Sequence, residues 1–156
     1  MRALLASPIA FFKLMPKILC IDDNTHGLTA RRVLLEGMGH KVTVAHSGRE
    51  GLEAFRNGKV DIAIVDYRMP QMNGGEVVRE IKRENPKFPV ILLSGYAETL
   101  GLDEKVPEAD TVLKKGAREV PELVNALNRL LRKSMKKPAA SVKAKEKKPL
   151  RQQSRS

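Results

Sequence analysis

The chain has 156 residues, with 29 Lys or Arg against 18 Asp or Glu and a formal net charge of +11. That length accommodates one domain plus extensions. The excess charge sits at the ends: residues 133–156 carry nine Lys or Arg and one Glu, residues 1–15 add Arg2 and Lys13, and residues 16–132 are close to neutral. A uniformly basic domain is therefore excluded, and the single cysteine, Cys20, excludes a disulfide framework and gives no sign of secretion.

Residues 1–15, MRALLASPIAFFKLM, carry one early charge before an apolar run. Pro8 and Lys13 interrupt that run, no small-x-small cleavage site follows, and the segment is too short to span a bilayer. It reads as an N-terminal extension with Met15 as an alternative start, ahead of a rival reading as an amphipathic membrane-surface segment. Residues 17–21, KILCI, are a continuous apolar strand that ends in Asp22-Asp23. The spacing predicts a first helix over 24–37, with Leu28, Val33, Leu34, Leu35 and Met38 as its apolar stripe. Val42 and Val44 alternate with Lys41 and Thr43, as in a half-exposed edge strand. Ser47 and Glu50 fit a capping box opening a second helix, with Leu52, Ala54 and Phe55 inside and Asn57-Gly58 stopping it.

Residues 60–65, VDIAIV, read as a strand buried on both faces and ending at Asp66. Asn73-Gly74-Gly75 turns the chain into a third helix over 75–85, with Val77, Val78 and Ile81 inward. Residues 89–93 form a fourth strand ending at Ser94. Residues 97–109 predict a short, mobile helix. Residues 111–115 form the fifth strand, and 119–132 the last helix, with Val124, Leu127, Leu130 and Leu131 inward and Pro121 near its first turn. Five βα units joined by right-handed crossovers predict an α/β fold: a five-stranded, parallel, doubly wound sheet with helices on both faces. Residues 133–156 lack apolar periodicity and read as a disordered polybasic tail.

Four strand ends converge in this scheme: Asp22 with Asp23, Asp66, Ser94 and Lys115. Open parallel sheets bind ligands at that edge. Carboxylates about 4 Å apart repel by roughly 4 kcal/mol at an effective dielectric of 20, so the cluster needs a cation or a shared proton. Hard oxygen donors without convergent His or Cys point to Mg²⁺. A hydroxyl and an ammonium beside it suit the oxygens of an anion, and backbone amides after Asp66 and Ser94 add donors. This is an arrangement for a carboxylate that receives a phosphoryl group.

On these residues, together with Met69-Pro70 and Met72-Asn73-Gly74 after Asp66, the stretch from 17 to about 132 resembles the receiver domain of two-component response regulators, which has the flavodoxin-like sheet. The resemblance implies that Asp66 is the phosphoacceptor, supplied by the phosphohistidine of a histidine kinase or phosphotransfer protein. It implies that Asp23, Asp66 and the backbone carbonyl of Arg68 ligate Mg²⁺, with Asp22 acting mainly through water. Ser94, Lys115 and the backbone of Gly95 would bind phosphoryl oxygens. The protein would be a cytoplasmic phosphoacceptor acting on a downstream protein through a switched surface, rather than a turnover enzyme.

The pattern departs from the family in places. Val112 stands where an aromatic residue usually sits, and Gly116 where a proline usually follows the lysine. Tyr96, two residues after Ser94, is the alternative switch residue, and Arg68 and Tyr96 flank the phosphoryl site as candidates for setting its lifetime. Lys114 adjoins Lys115, and the choice between them rests on Ala109-Asp110 fixing the register. His26, His40 and His46 read as surface residues. A dinucleotide-binding domain shares the sheet but needs a Gly-rich first turn, which Asp22-Asp23-Asn24 is not. A haloacid-dehalogenase-type phosphatase wants an acid where Asn24 stands. The basic tail, 133–156, offers a second class of function, electrostatic binding to nucleic acid or an anionic surface. It lacks aromatic residues for base stacking and is too short for a folded helix-turn-helix effector, so the domain between 16 and 132 reads as a stand-alone receiver.

Overall fold

Apolar runs and their polar ends set the architecture. In the computed structural model, which describes residues 15–95 and 101–136, the order is β1 (Lys17–Ile21), α1 (Thr25–Gly37), β2 (Lys41–Ala45), α2 (Gly48–Arg56), β3 (Ile62–Asp66), α3 (Gly74–Glu84), β4 (Val90–Ser94), α4 (Leu102–Lys105), β5 (Thr111–Lys114) and α5 (Glu119–Lys136). The strands pair in parallel in the order β2-β1-β3-β4-β5. This is the doubly wound sheet expected from the βα alternation. β3 and β4 are buried at every position, as their unbroken apolar runs require, and β2 is the half-exposed edge strand that its alternation predicts.

Successive side chains of the central strands point to opposite faces, so the sheet feeds two cores. Leu19, Ile21, Ala63, Val65 and Leu92 pack with α2, α3 and α4 through residues such as Phe55, Val78 and Leu102. Ile18, Cys20, Ile62, Ile64, Ile91 and Leu93 pack on the other face with α1 and α5 through Leu28, Leu35 and Leu127. Cys20 is fully buried in this second core, as a small hydrophobe. Burial pushes its thiol up to about 12, with the Arg31 charge opposing and Asp22 adding to the rise. The folded chain is therefore expected to give no reaction with a disulfide reagent at pH 8 until denatured. Prompt stoichiometric labelling of the native protein would contradict this.

Helix boundaries follow local chemistry. Asn24 caps α1, accepting from the N–H groups of His26 and Gly27, so the helix proper starts at Thr25 rather than at 24. Ser47 caps α2 as expected, but Glu50 reaches back to the N–H of His46, not to that of Ser47, so the reciprocal box is shifted by one residue. The complete capping box belongs to α3, between Asn73 and Glu76, and it moves the helix start forward to Gly74. Of the helix expected within 97–109, residues 97–100 lie outside the described residues, and the described part holds a single turn, α4.

Three expectations on helices are corrected. Val33 and Met38 are exposed; the inward face of α1 is Leu28, Arg31 and Leu35, the residues that a 3.6-residue period places together. On α5 the buried residues include Leu123 and Ala126, whereas Val124 is half-buried. The last helix also continues to Lys136, four residues beyond the expected end, so the first residues of the basic tail are helical. No Gly or Pro intervenes between Pro121 and Pro138, and basic side chains favour a helix C-terminus. Residues 1–14 and 137–156 lie outside the described residues, and with them most of the N-terminal extension and of the tail. Among the described residues, no helix is long and apolar enough to cross a membrane.

Candidate functional site

Strand register builds the site. Ile21 pairs with Val65, so Asp22, one residue further on, comes beside Asp66, the last residue of β3. The chain after Asp66 is tied down at once: the Tyr67 N–H donates to the Leu93 carbonyl at 2.8 Å, and the Gly74 N–H donates to the Tyr67 carbonyl at 2.8 Å. Between them the Met72 N–H reaches the Pro70 carbonyl at 2.7 Å across Gln71, whose φ of +68° gives this three-residue turn the rarer of its two forms. Arg68 lies exposed in this loop, next to the acidic pocket, and Met69 is buried beneath it.

Carboxylate oxygens of Asp22, Asp23 and Asp66 all lie within 4.8 Å of one another. Asp22 and Asp66 are buried and Asp23 is exposed, so the cluster has a dry floor and an open mouth. At that separation each pair of charges repels by about 3.5 kcal/mol at an effective dielectric of 20. Lys115 answers part of this, with its Nζ 2.7 Å from Asp66 Oδ1 and 3.4 Å from Asp22 Oδ2. Asp22 Oδ1 accepts the Asn24 N–H at 3.0 Å. Burial pushes the Asp66 carboxyl above the usual aspartate range; the hydrogen bond from Lys115 opposes that rise and the Asp22 charge adds to it. A carboxylate raised in this way gains from any further cation brought to the pocket. The donors are carboxylates alone, with no His or Cys in the cluster, and they fit a hard divalent ion.

The structure brings together Asp22, Asp23, Asp66 and Lys115. Of the adjacent lysines, Lys114 is the exposed end of β5 and Lys115 turns into the pocket. The register is held by Asp110, whose N–H donates to the Val90 carbonyl at 3.0 Å while its Oδ2 accepts the Val90 N–H at 2.8 Å and lies 2.6 Å from Lys82 Nζ. Ser94 is buried as the last residue of β4, its carbonyl accepting the Lys115 N–H at 3.0 Å, and Gly95 follows exposed. Val112 pairs with Leu92 and packs half-buried against the core on the α2–α4 side. Gly116 adopts a φ of +149°, a value rare for L-residues, where the family's proline would stand. Tyr96 lies outside the described residues.

Arg31 and its partner Glu119 escaped the sequence reading as parts of this neighbourhood. Arg31 is buried with Nη1 3.2 Å from Asp22 Oδ2 and Nη2 3.2 Å from Glu119 Oε1, which joins α1, the end of β1 and the start of α5. The available signal was its place between Leu28 and Leu35 on one helical face. Of the histidines, His26 and His46 are exposed, as expected, whereas His40 is half-buried and its pKa is lowered by that burial.

A parallel sheet in 2-1-3-4-5 order, with acids at the carboxyl ends of β1 and β3 and a lysine just past β5, defines a doubly wound domain with its charged groups gathered at the switch point. Comparison with known proteins names the class. The family model for the response regulator receiver domain matches residues 18–128, and the chain belongs to that family. It is 37% identical over 100 residues to the transcriptional regulatory protein ZraR of Escherichia coli K12, covering 64% of this chain and 21% of that one. Among solved structures it is similar to a response regulator receiver domain protein from Clostridium thermocellum, at 33% identity with a TM-score of 0.70 over 78% of this chain and 98% of that one. It is also similar to the response regulator TrrA of Thermotoga maritima in complex with Mg²⁺–BeF, at 29% identity with a TM-score of 0.69 over 74% and 99% of the two chains. The chain thus spans a whole receiver domain but only about a fifth of ZraR.

Proposed function

We propose that Asp66 accepts a phosphoryl group from the phosphohistidine of a histidine kinase or phosphotransfer protein, with Mg²⁺ as cofactor, and that the modified domain presents a switched surface to a downstream protein. The observation that carries this reading is the buried Asp66 carboxylate at a strand end, facing two further carboxylates and the Lys115 ammonium. In the transfer, an Asp66 oxygen forms the new O–P bond as the P–N bond to the donor imidazole breaks. The bonding pair leaves with the imidazole nitrogen, which takes up a proton. The protein does little covalent work in such a step; it positions the nucleophile and neutralises equatorial charge.

Asp23, Asp66 and the Arg68 carbonyl would hold Mg²⁺, with Asp22 acting through water. The Asp22 oxygens are engaged by Asn24, Arg31 and Lys115, which supports that indirect role. Bound Mg²⁺ would supply positive charge against both the carboxylates and the incoming phosphoryl group. Lys115, the Ser94 hydroxyl and the Gly95 N–H would take phosphoryl oxygens. TrrA, solved with Mg²⁺–BeF, supports the metal assignment. Val112 and Tyr96 are the proposed switch residues, and Arg68 and Tyr96 would position or block the attacking water during hydrolysis. The role implies a cytoplasmic location and no turnover of a separate substrate.

Acetyl phosphate tests the reading without a kinase. Incubation with Mg²⁺ should add one alkali-labile phosphoryl group by mass spectrometry. The adduct should be absent with EDTA and absent in Asp66→Asn. Failure of the wild type to label, or equal labelling of Asp66→Asn, would refute the assignment.

A further inference from the structure

The geometry points to Arg31 as an internal counter-ion that lowers the divalent-metal affinity of the acidic pocket, a role that rests on the phosphoacceptor reading above. Arg31 is 7% exposed and shares the inward face of α1 with Leu28 and Leu35. Burying a guanidinium is unfavourable unless it is paired, and this one is paired with Asp22 on one side and Glu119 on the other.

Asp22 does not need Arg31 in order to stay in place. Its Oδ1 is held by the Asn24 N–H at 3.0 Å, and its Oδ2 lies 3.4 Å from Lys115 Nζ. What Arg31 adds is charge. Beside the Lys115 ammonium it sets a second cation against Asp22, fixed in a buried position where solvent screens it little. The pocket's pull on a dication is reduced accordingly. Glu119 acts in the opposite sense. Its carboxylate offsets the guanidinium charge, and it is 22% exposed, so its own desolvation is partial. The metal affinity is therefore set by a pair of residues outside the ligand set, one of which begins α5.

Opposite signs separate this from a purely structural role. Both Arg31→Met and Glu119→Gln break the same ion pair, so a structural role would move both variants the same way. As a counter-ion, Arg31→Met should bind Mg²⁺ about tenfold more tightly by titration calorimetry at low ionic strength, which is about 1.4 kcal/mol. Glu119→Gln should bind it roughly two- to threefold more weakly, because Arg31 then bears on Asp22 alone. Arg31→Lys keeps the charge and should stay within about twofold of the wild type. Unchanged or weaker Mg²⁺ binding in Arg31→Met would overturn the inference, as would unchanged or tighter binding in Glu119→Gln. If Arg31→Met fails to fold, Glu119→Gln decides the matter, and an Arg31→Lys protein that binds Mg²⁺ about tenfold more tightly would overturn the inference as well. A wild type without measurable Mg²⁺ affinity would overturn the phosphoacceptor reading as well, whereas a wild type that binds Mg²⁺ and labels at Asp66 while the variants move together overturns the Arg31 role alone.

Discussion

Asp66→Asn is expected to melt about 3–6 °C above the wild type at pH 7 without metal, a gain of about 1 kcal/mol for a domain of this size, while losing all acyl-phosphate formation. The stabilisation follows from the carboxylate's position. Burial raises the Asp66 pKa, and Asp22 raises it further. A folded pKa above the unfolded one means that the native state holds the proton more tightly. Stability from this group is therefore fully present below the ordinary aspartate pKa, falls as pH rises through the raised folded value, and stays lowered above it. Asparagine removes the titration, so the difference between wild type and variant should open across that window and hold constant towards neutrality. Lys115 loses a partner but keeps Asp22 and some solvent, which limits the penalty. Mg²⁺ should reverse the order, because it stabilises only the chain that binds it well. Thermal unfolding from pH 4 to 8, with EDTA or with Mg²⁺, measures all of this. An Asp66→Asn variant less stable than the wild type at pH 7 in EDTA would show that the pocket's own cations already balance the charge.

Much of this site was legible because its chemistry stands where apolar runs stop. Asp22-Asp23, Asp66 and Ser94 each end a strand too uniformly apolar to be anything but central, and parallel order brings such ends to one edge. The choice of Lys115 over Lys114 also followed from a local signal, Asp110, which the structure shows anchoring the start of β4 through Val90. What stayed hidden depends on contacts made across the chain. Arg31 interrupts an apolar stripe, so a search for hydrophobic spacing passes over it and selects Val33 and Met38 in its stead. Its reason for being buried lies partly with Glu119, 88 residues away, and no local pattern links the two. The length of α5 was missed for a different reason. A basic composition resembles that of a disordered tail, whereas the helix needs only an unbroken register and favourable charges at its end.

Gly74→Ala is expected to destabilise the fold by about 2–3 kcal/mol, lowering the melting temperature by roughly 10 °C, and to weaken Mg²⁺ binding and Asp66 labelling together. The reason is space and not backbone conformation, since Gly74 is not among the residues with positive φ. A Cβ at this position would lie 2.3 Å from the Asp66 carbonyl oxygen and 2.8 Å from the Tyr67 Cα, which are main-chain atoms that no rotamer change can move. Here α3 begins in contact with the end of β3, joined by the Gly74 N–H bond to Tyr67, and Asn73 with Glu76 locks the helix start from the other side. Relief requires α3 to retreat or Asp66 to shift, and either one moves the proposed nucleophile relative to Asp22 and Lys115. Gly37→Ala is the matched control: nothing lies within 4 Å of its added methyl at the end of α1, so its stability should stay within about 0.5 kcal/mol of the wild type. Thermal melts of the two variants, with acetyl phosphate labelling at a temperature where both are folded, separate loss of fold from loss of site. A Gly74→Ala protein that melts with the wild type would mean that α3 can withdraw from β3 freely. The placement of Asp66 would then rest on strand register alone.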